Sequence, residues 1–145
     1  MTEQEFVLLV NNTFERSEYA TTRYPETDLD RLVEFFGETL PPLFVVMRQL
    51  LRTHAILGDH LPADEMIHDY KFELENNPNF AADHIPFYAI GNGDYLCLSR
   101  SAGIASPVIY VAHDNPNSDI LHTSFSDYLS DNSCCLLYTS DAADE

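Results

Sequence analysis

Glycines, histidines, serines and carboxylates are the residue types in this 145-residue chain that could do chemistry, and their spacing decides which chemistry is open to each. Gly91-Asn92-Gly93-Asp94 carries two glycines. A dinucleotide fingerprint needs a third glycine opening a helix, and a P-loop needs a lysine followed by Ser or Thr. Neither follows, so the segment reads as a tight turn. The six histidines, His54, His60, His68, His84, His113 and His122, are scattered, without the HExxH or paired-cysteine spacing that fixes a metal geometry. His60, Asp64 and His68 form the one tight grouping. Asp83-His84 and His113-Asp114 are adjacent pairs whose side chains point in different directions, so neither is a ready acid-base dyad. Ser99, Ser101, Ser106 and Ser124 lack a GxSxG elbow. No nucleophile, base and metal set converges along the sequence. The expectation is a non-enzymatic protein with no catalytic residues, no metal and no cofactor.

Charge points instead to binding. The chain has 24 acidic residues against 7 basic ones, a formal net charge of −17. Phosphate backbones and anionic membrane surfaces both demand Lys and Arg clusters, so this balance opposes nucleic-acid and membrane partners and suits a basic protein partner. The alternative is that acidity only keeps the protein soluble. Near the N-terminus, MTEQEFVLLVNNTFERSEY has acids where a signal peptide carries positive charge, and its apolar run Phe6 to Val10 is too short to span a bilayer, so a cytoplasmic protein is expected. Of three cysteines, Cys97 lies in the strand-like YLCLS and reads as a small core hydrophobe; no disulfide framework can be drawn.

The elements that must position any binding residues are legible from periodicity and turn chemistry. Phe6, Leu9 and Val10 at i, i+3, i+4 predict a first short helix, and Arg16 to Pro25 a polar link. Thr27 is the expected cap of a second helix whose Leu29, Leu32, Val33 and Phe36 share one face, ended by Gly37. Pro42 suits the start of a third helix, LFVVMRQLLRT, apolar almost all round and therefore expected to be central and packed on the sheet. After Leu61-Pro62, Met66, Ile67, Tyr70 and Leu74 form the apolar stripe of a fourth helix, while Glu65, Asp69 and Glu73 recur every four residues along another stripe. Like charges at i, i+4 destabilise a helix by about 0.2–0.5 kcal/mol per pair. The stripe is thus either a recognition strip or a solvated face. Phe72 lies off the apolar stripe, so either the helix ends early or Phe72 is exposed. Next, Asn92-Gly93 supplies the two positive φ angles of a type I′ turn between strands Ile85 to Ile90 and Asp94 to Ser99. Val108 to Ala112 follows Pro107 as a third strand. A polar loop with Asn115-Pro116-Asn117 leads to Ser124, which caps a final helix with Asp127 three residues on and Phe125, Tyr128 and Leu129 on one face.

IPFYAIGNGDYLCLS, PVIYVAHD and TSFSDYL together resemble the C-terminal half of the SUKH superfamily, also called the Smi-one/Knr-four family. The LP in GETLPPLF and the LPADEMI segment are similar to its N-terminal landmarks. The resemblance covers Leu29 to Asp131 and departs from the family at RTHAILGD, where an Asn-Gly-rich stretch is frequent, and in the absence of Trp. It implies an α+β fold: a single SUKH-like domain, with a mostly antiparallel β-sheet packed against N-terminal helices and a short C-terminal helix. Residues 1–26 would be an N-terminal helix and link, 27–131 the domain. Separately, Cys135 to Glu145, CLLYTSDAADE, matches the conceptual translation of a transposase-type sequencing adapter, so 132–145 is expected to be a non-native tail. Without Asp141, Asp144 and Glu145, the 24 acids fall to 21 against 7 bases, still strongly acidic.

What the resemblance implies about function is protein binding. Bacterial relatives are commonly immunity proteins that neutralise a toxin of nuclease or deaminase type; the alternative is an intracellular regulator or scaffold resembling the yeast cell-wall-synthesis regulators of the superfamily. Charge alone nominates Asp64, Glu65, Asp69, Glu73, Asp114 and Asp119 as contacts to a basic toxin domain, with Gly91, Asn92, Gly93, Asp94 and Ser124 as structural motif residues.

Overall fold

A computed structural model describes residues 2–14, 27–50, 60–102, 106–115 and 117–130. The link Arg16 to Pro25, the end of the third helix, Gly58 and the tail from residue 131 lie outside them. Helix α1 (Glu3–Phe14) starts at a reciprocal capping box: the Glu5 N–H donates to Thr2 Oγ1 (3.1 Å) and the Thr2 N–H to Glu5 Oε1 (3.3 Å). Its Phe6 and Val10 are buried, as their spacing predicts.

Helix α2 (Asp28–Phe36) departs from expectation at both its cap and its face. Thr27 makes no side-chain capping bond. Leu29, Leu32 and Phe36 are buried, but Val33 is exposed and Asp28 is buried in its stead. The physical reason is that Asp28, Leu32 and Phe36 lie along one i, i+4 row, and burying the first member turns Val33 outward. Gly37 ends the helix at φ +62°, its N–H donating to the Val33 carbonyl, and a 3-10 turn (Gly37–Thr39) follows.

Helix α3 (Pro42–Leu50) begins at its proline and buries Phe44, Met47 and Arg48. Helix α4 (Ala63–Asn76) buries Met66 and Tyr70, while Leu74, expected on the same stripe, is exposed. It does not end early: Phe72 is exposed, its ring stacked 6.2 Å from that of His68.

Four strands, β1 (His84–Gly91), β2 (Asp94–Ser99), β3 (Val108–Val111) and β4 (Asp119–His122), form an antiparallel sheet in the order β1-β2-β3-β4. The hairpin closes at Gly91↔Asp94, with Asn92 at φ 57° and Gly93 at φ 84°, the signs a type I′ turn requires. A Cβ on Gly93 would also stand 3.2 Å from the Cβ of His113, so glycine is needed twice there. Strand β4 falls where the sequence predicts only a loop. Its exposed Ile120 and Leu121 give no in-out alternation, and its placement comes from pairing with β3. At the other edge, the Leu61 N–H donates to the Phe87 carbonyl (2.9 Å) and covers part of β1.

A short helix α5 spans 125–130, its start fixed by the Asp127 N–H donating to Ser124 Oγ (3.2 Å). Phe125 packs edge-on against Phe44 of α3 (5.6 Å) and Phe87 of β1 (5.8 Å), and Tyr128 against Phe87 (5.3 Å). These rings join α3, the sheet and α5 in one core, with Cys97 fully buried on β2. The domain is a single α+β unit, as predicted.

Where α2, α3 and the start of α4 meet, the buried Arg48 guanidinium grips the buried Asp28 carboxylate. Nε donates to Oδ2 (2.9 Å), and Nη2 lies 2.8 and 2.7 Å from Oδ1 and Oδ2. Arg48 Nη1 donates to the Leu61 carbonyl (3.0 Å), and Asp28 Oδ1 accepts the Ala63 N–H (2.7 Å). Asp28 therefore caps α4 from a distance, which accounts for Pro62 preceding that helix without a side-chain cap. Removing one partner strands a buried charge, at a cost of about 3–5 kcal/mol. Asp28→Ala is expected to lower the unfolding free energy in urea by about that amount, and Asp28→Leu with Arg48→Met to recover most of the loss. An unchanged midpoint for Asp28→Ala would refute this role.

Candidate protein-binding surface

The residues nominated from charge divide between two faces. On the α2 side, Asp64 is exposed and pairs with Arg31 (Nε to Oδ1, 2.5 Å). Beside this pair, Arg31, Glu34, Phe35, Ile67 and Lys71 line an open groove of about 410 Å³ between α2 and α4, with the Lys71 ammonium 5.1 Å from the centre of the Phe35 ring. Asp64 is thus committed to a local cation.

The stripe Glu65, Asp69 and Glu73 is neither a uniform recognition strip nor a solvated face. Glu65 is exposed, Asp69 is half-buried and Glu73 is only 8% exposed, because a row of every fourth residue drifts around a helix of about 3.6 residues per turn, here away from solvent. The Tyr95 hydroxyl donates to Asp69 Oδ2 (3.1 Å), joining α4 to β2. Burial, then the Asp69 and Glu73 charges, push the Tyr95 phenol well above its usual range. Burial and the Glu73 charge do the same to the Cys97 thiol. The Glu73 charge is thus felt at two residues of β2.

Next to it, the hairpin residue Asp94 organises the ends of β2 and β3. Its Oδ2 accepts the Tyr110 hydroxyl (2.5 Å), and its Oδ1 accepts the His113 N–H (2.9 Å) and lies 2.8 Å from His113 Nδ1. Hydrogen bonds from Tyr110 and then from His113 hold the Asp94 carboxyl down at about 2. The bond to Asp94 raises the His113 imidazole above its ordinary value, with help from the Asp114, Asp94 and Glu73 charges. Asn79 Nδ2, just beyond α4, donates to the His113 carbonyl (3.4 Å). Asp114 is exposed beside this group, and Asp119 begins β4 opposite Tyr110.

The geometry thus ties Asp69 to Tyr95 between α4 and β2, and separately ties Asp94 to Tyr110 and His113 at the ends of β2 and β3, with Asp114 next to His113 and Asp119 opposite Tyr110; Glu65 is exposed one turn before Asp69, and Asp64 pairs with Arg31. Among the described residues, no Lys or Arg forms an ion pair with this group. Asp94, nominated only for the turn, is its organising carboxylate. Tyr95, Tyr110 and His113 were missed because strand alternation and a loop gave no sign of what they would face. The grouping His60, Asp64 and His68 is dispersed: His60 is buried with Nε2 3.0 Å from the Tyr128 hydroxyl, and exposed His68 pairs with Asp69. Among the described residues, no cluster of three or more His, Cys, Asp or Glu side chains is arranged to hold a metal ion, and no helix is long and apolar enough to cross a membrane.

A helix-backed antiparallel meander with an acidic group at one end of its sheet defines an α+β domain with a negatively charged face. The chain belongs to the SMI1 / KNR4 family (SUKH-1), which it matches over residues 16–131 and which includes immunity proteins. No curated protein and no solved structure matches it.

The Asp94–His113 contact makes a pH prediction. A raised imidazole pKa adds stability that is full below 6.5 and lost as pH rises through the raised value; a depressed carboxyl adds stability that is full above 3.8 and lost as pH falls toward about 2. The contact is therefore fully formed between those limits. A proton NMR titration is expected to place the His113 midpoint above 6.5, and Asp94→Asn to lower it; a midpoint that Asp94→Asn leaves in place would contradict the assignment.

Proposed function

We propose that this chain is a non-enzymatic protein-binding domain, a cytoplasmic immunity protein that binds a cognate toxin of nuclease or deaminase type and blocks its active site. The observation that carries the reading is a set of carboxylates around β2 and the end of β3, Asp69 on Tyr95 and Asp94 on Tyr110 and His113 with Asp114 beside it, to which no Lys or Arg among the described residues is ion-paired, in a member of a family that includes immunity proteins. A toxin that handles nucleic acid presents a basic cleft to phosphates. A rigid acidic face offers that cleft the same charge on a scaffold it cannot cleave, and steers the encounter over a distance set by ionic strength. The net charge of −17 argues against nucleic acid or an anionic membrane as the partner. Glu65 and Asp114 serve as exposed contacts and Asp69 as a positioned one, with Asp64 and Asp119 at the margins.

The test is recovery of the gene with its neighbours, followed by co-expression with the adjacent toxin gene. The wild-type chain is expected to restore growth. Combined Glu65→Lys, Asp69→Lys and Asp114→Lys is expected to abolish protection while circular dichroism stays that of the folded domain. Full protection by that folded variant would overturn the assignment of the surface, and failure of the wild-type chain to protect would overturn the toxin reading.

A further inference from the structure

The two edges of the sheet are treated differently. At β1 the Leu61 N–H bonds the Phe87 carbonyl and His60 bridges to Tyr88, so that edge is partly covered. At the other edge β4 pairs with β3 alone, and among the described residues no further backbone hydrogen bond reaches Asp119, Ile120 or Leu121. Half of the N–H and C=O groups of such an edge point away from the sheet and offer themselves to another strand. Proteins commonly blunt an open edge with lysine, proline or an inward charge. Strand β4, Asp119-Ile120-Leu121-His122, has neither lysine nor proline, and its two central side chains are apolar and open to solvent, Ile120 at 64% and Leu121 at 49%. His122 lies against the Tyr128 ring of α5 (5.6 Å between ring centres), which fastens the edge in place.

Charge and symmetry favour a second copy of this chain as the occupant. Copies that each carry a net charge of −17 repel, and they approach most easily where acids are sparse. Residues 115–126, between Asp114 and Asp127, are such a stretch: they carry one acid, Asp119, and neither Lys nor Arg. A two-fold axis normal to the sheet pairs β4 antiparallel with itself and keeps each side chain on its own face. With Ile120 on the axis, Ile120 meets its counterpart and Asp119 meets Leu121. With Leu121 on the axis, Leu121 meets its counterpart and Ile120 meets His122. Both registers centre on an apolar pair and set no acid opposite an acid. We propose that β4 is a self-association edge, through which two copies of this chain join their sheets into one continuous antiparallel sheet. The edge is short, and its register is irregular beside Val108 and Ile109, so the dimer is weak and exchanges with monomer.

Sedimentation equilibrium of the full chain would be followed from about 10 μM to about 1 mM, at about 0.05 M and about 0.5 M sodium chloride. The average mass is expected to rise toward that of two chains, and more readily at high salt, because screening removes the mutual repulsion; a contact of acids with a basic partner has the opposite salt dependence. Ile120→Lys is expected to weaken the dimer at least about tenfold, and Phe72→Lys, at an exposed apolar residue of α4, less than about twofold. Both should keep the circular dichroism of the folded domain. A chain that stays monomeric throughout, a dimer that Ile120→Lys leaves intact, association that salt weakens, or growth past the dimer would each overturn the proposal. Hydrogen exchange of the wild type needs no variant: the 119–122 amides are expected to slow as concentration rises, and unchanged exchange there while the mass rises would place the contact elsewhere.

Discussion

One buried ion pair, Asp28 with Arg48, fixes how three helices meet. Arg48 reaches from α3 to the α2 carboxylate and to the Leu61 carbonyl, while Asp28 also holds the first N–H of α4. Two buried charges are a poor way to gain stability, since desolvation offsets most of their attraction. They are a good way to gain geometry, because each oxygen and each N–H in the arrangement has one direction to satisfy. The axis of α4 follows from this arrangement at its start. Midway along, it follows from Tyr70, whose hydroxyl donates to the Ala82 carbonyl (2.6 Å) and receives Arg100 (2.9 Å). A helix held at its start and its middle can carry Asp69 against Tyr95 of the sheet.

The sheet supplies the other half of the surface through its turn. Asn92 and Gly93 turn the chain in two residues, Gly93 leaves room for the His113 side chain, and Asp94 then ties β2 to the end of β3. The acidic group is consequently built from α4, the hairpin and the loop after β3, elements that meet only because the helices and the sheet share one aromatic core. Asp94 and Asp69 are carboxylates satisfied by donors of the fold, so they shape the surface, while Glu65 and Asp114 are exposed on it.

Much of the fold was legible because local chemistry and tertiary structure agree: Asn92-Gly93 at the hairpin, Pro42 opening α3, Gly37 ending α2, Ser124 capping α5, and Phe6 with Val10 on one face. The misses share a cause. Strand β4 has four residues and exposed apolar side chains, so its identity lies in its neighbour β3. Asp28 and Arg48 are 20 residues apart and look like ordinary surface charges; only packing makes them a pair. For the site, the spacing of Glu65, Asp69 and Glu73 was legible, but spacing cannot say which member of a row is buried. It therefore grouped three acids whose surroundings differ, and gave no sign that Asp64 pairs with Arg31 or that Asp119 stands opposite Tyr110.

Hydrogen–deuterium exchange on the full chain, alone and with the protein encoded beside it, tests the account most directly. The account predicts that binding slows exchange in 65–76, in the hairpin 91–95 and in 112–115, the three segments that build the acidic group, and leaves α1 unchanged. Protection confined to α1, to the α2–α4 groove or to strand β4 would contradict it.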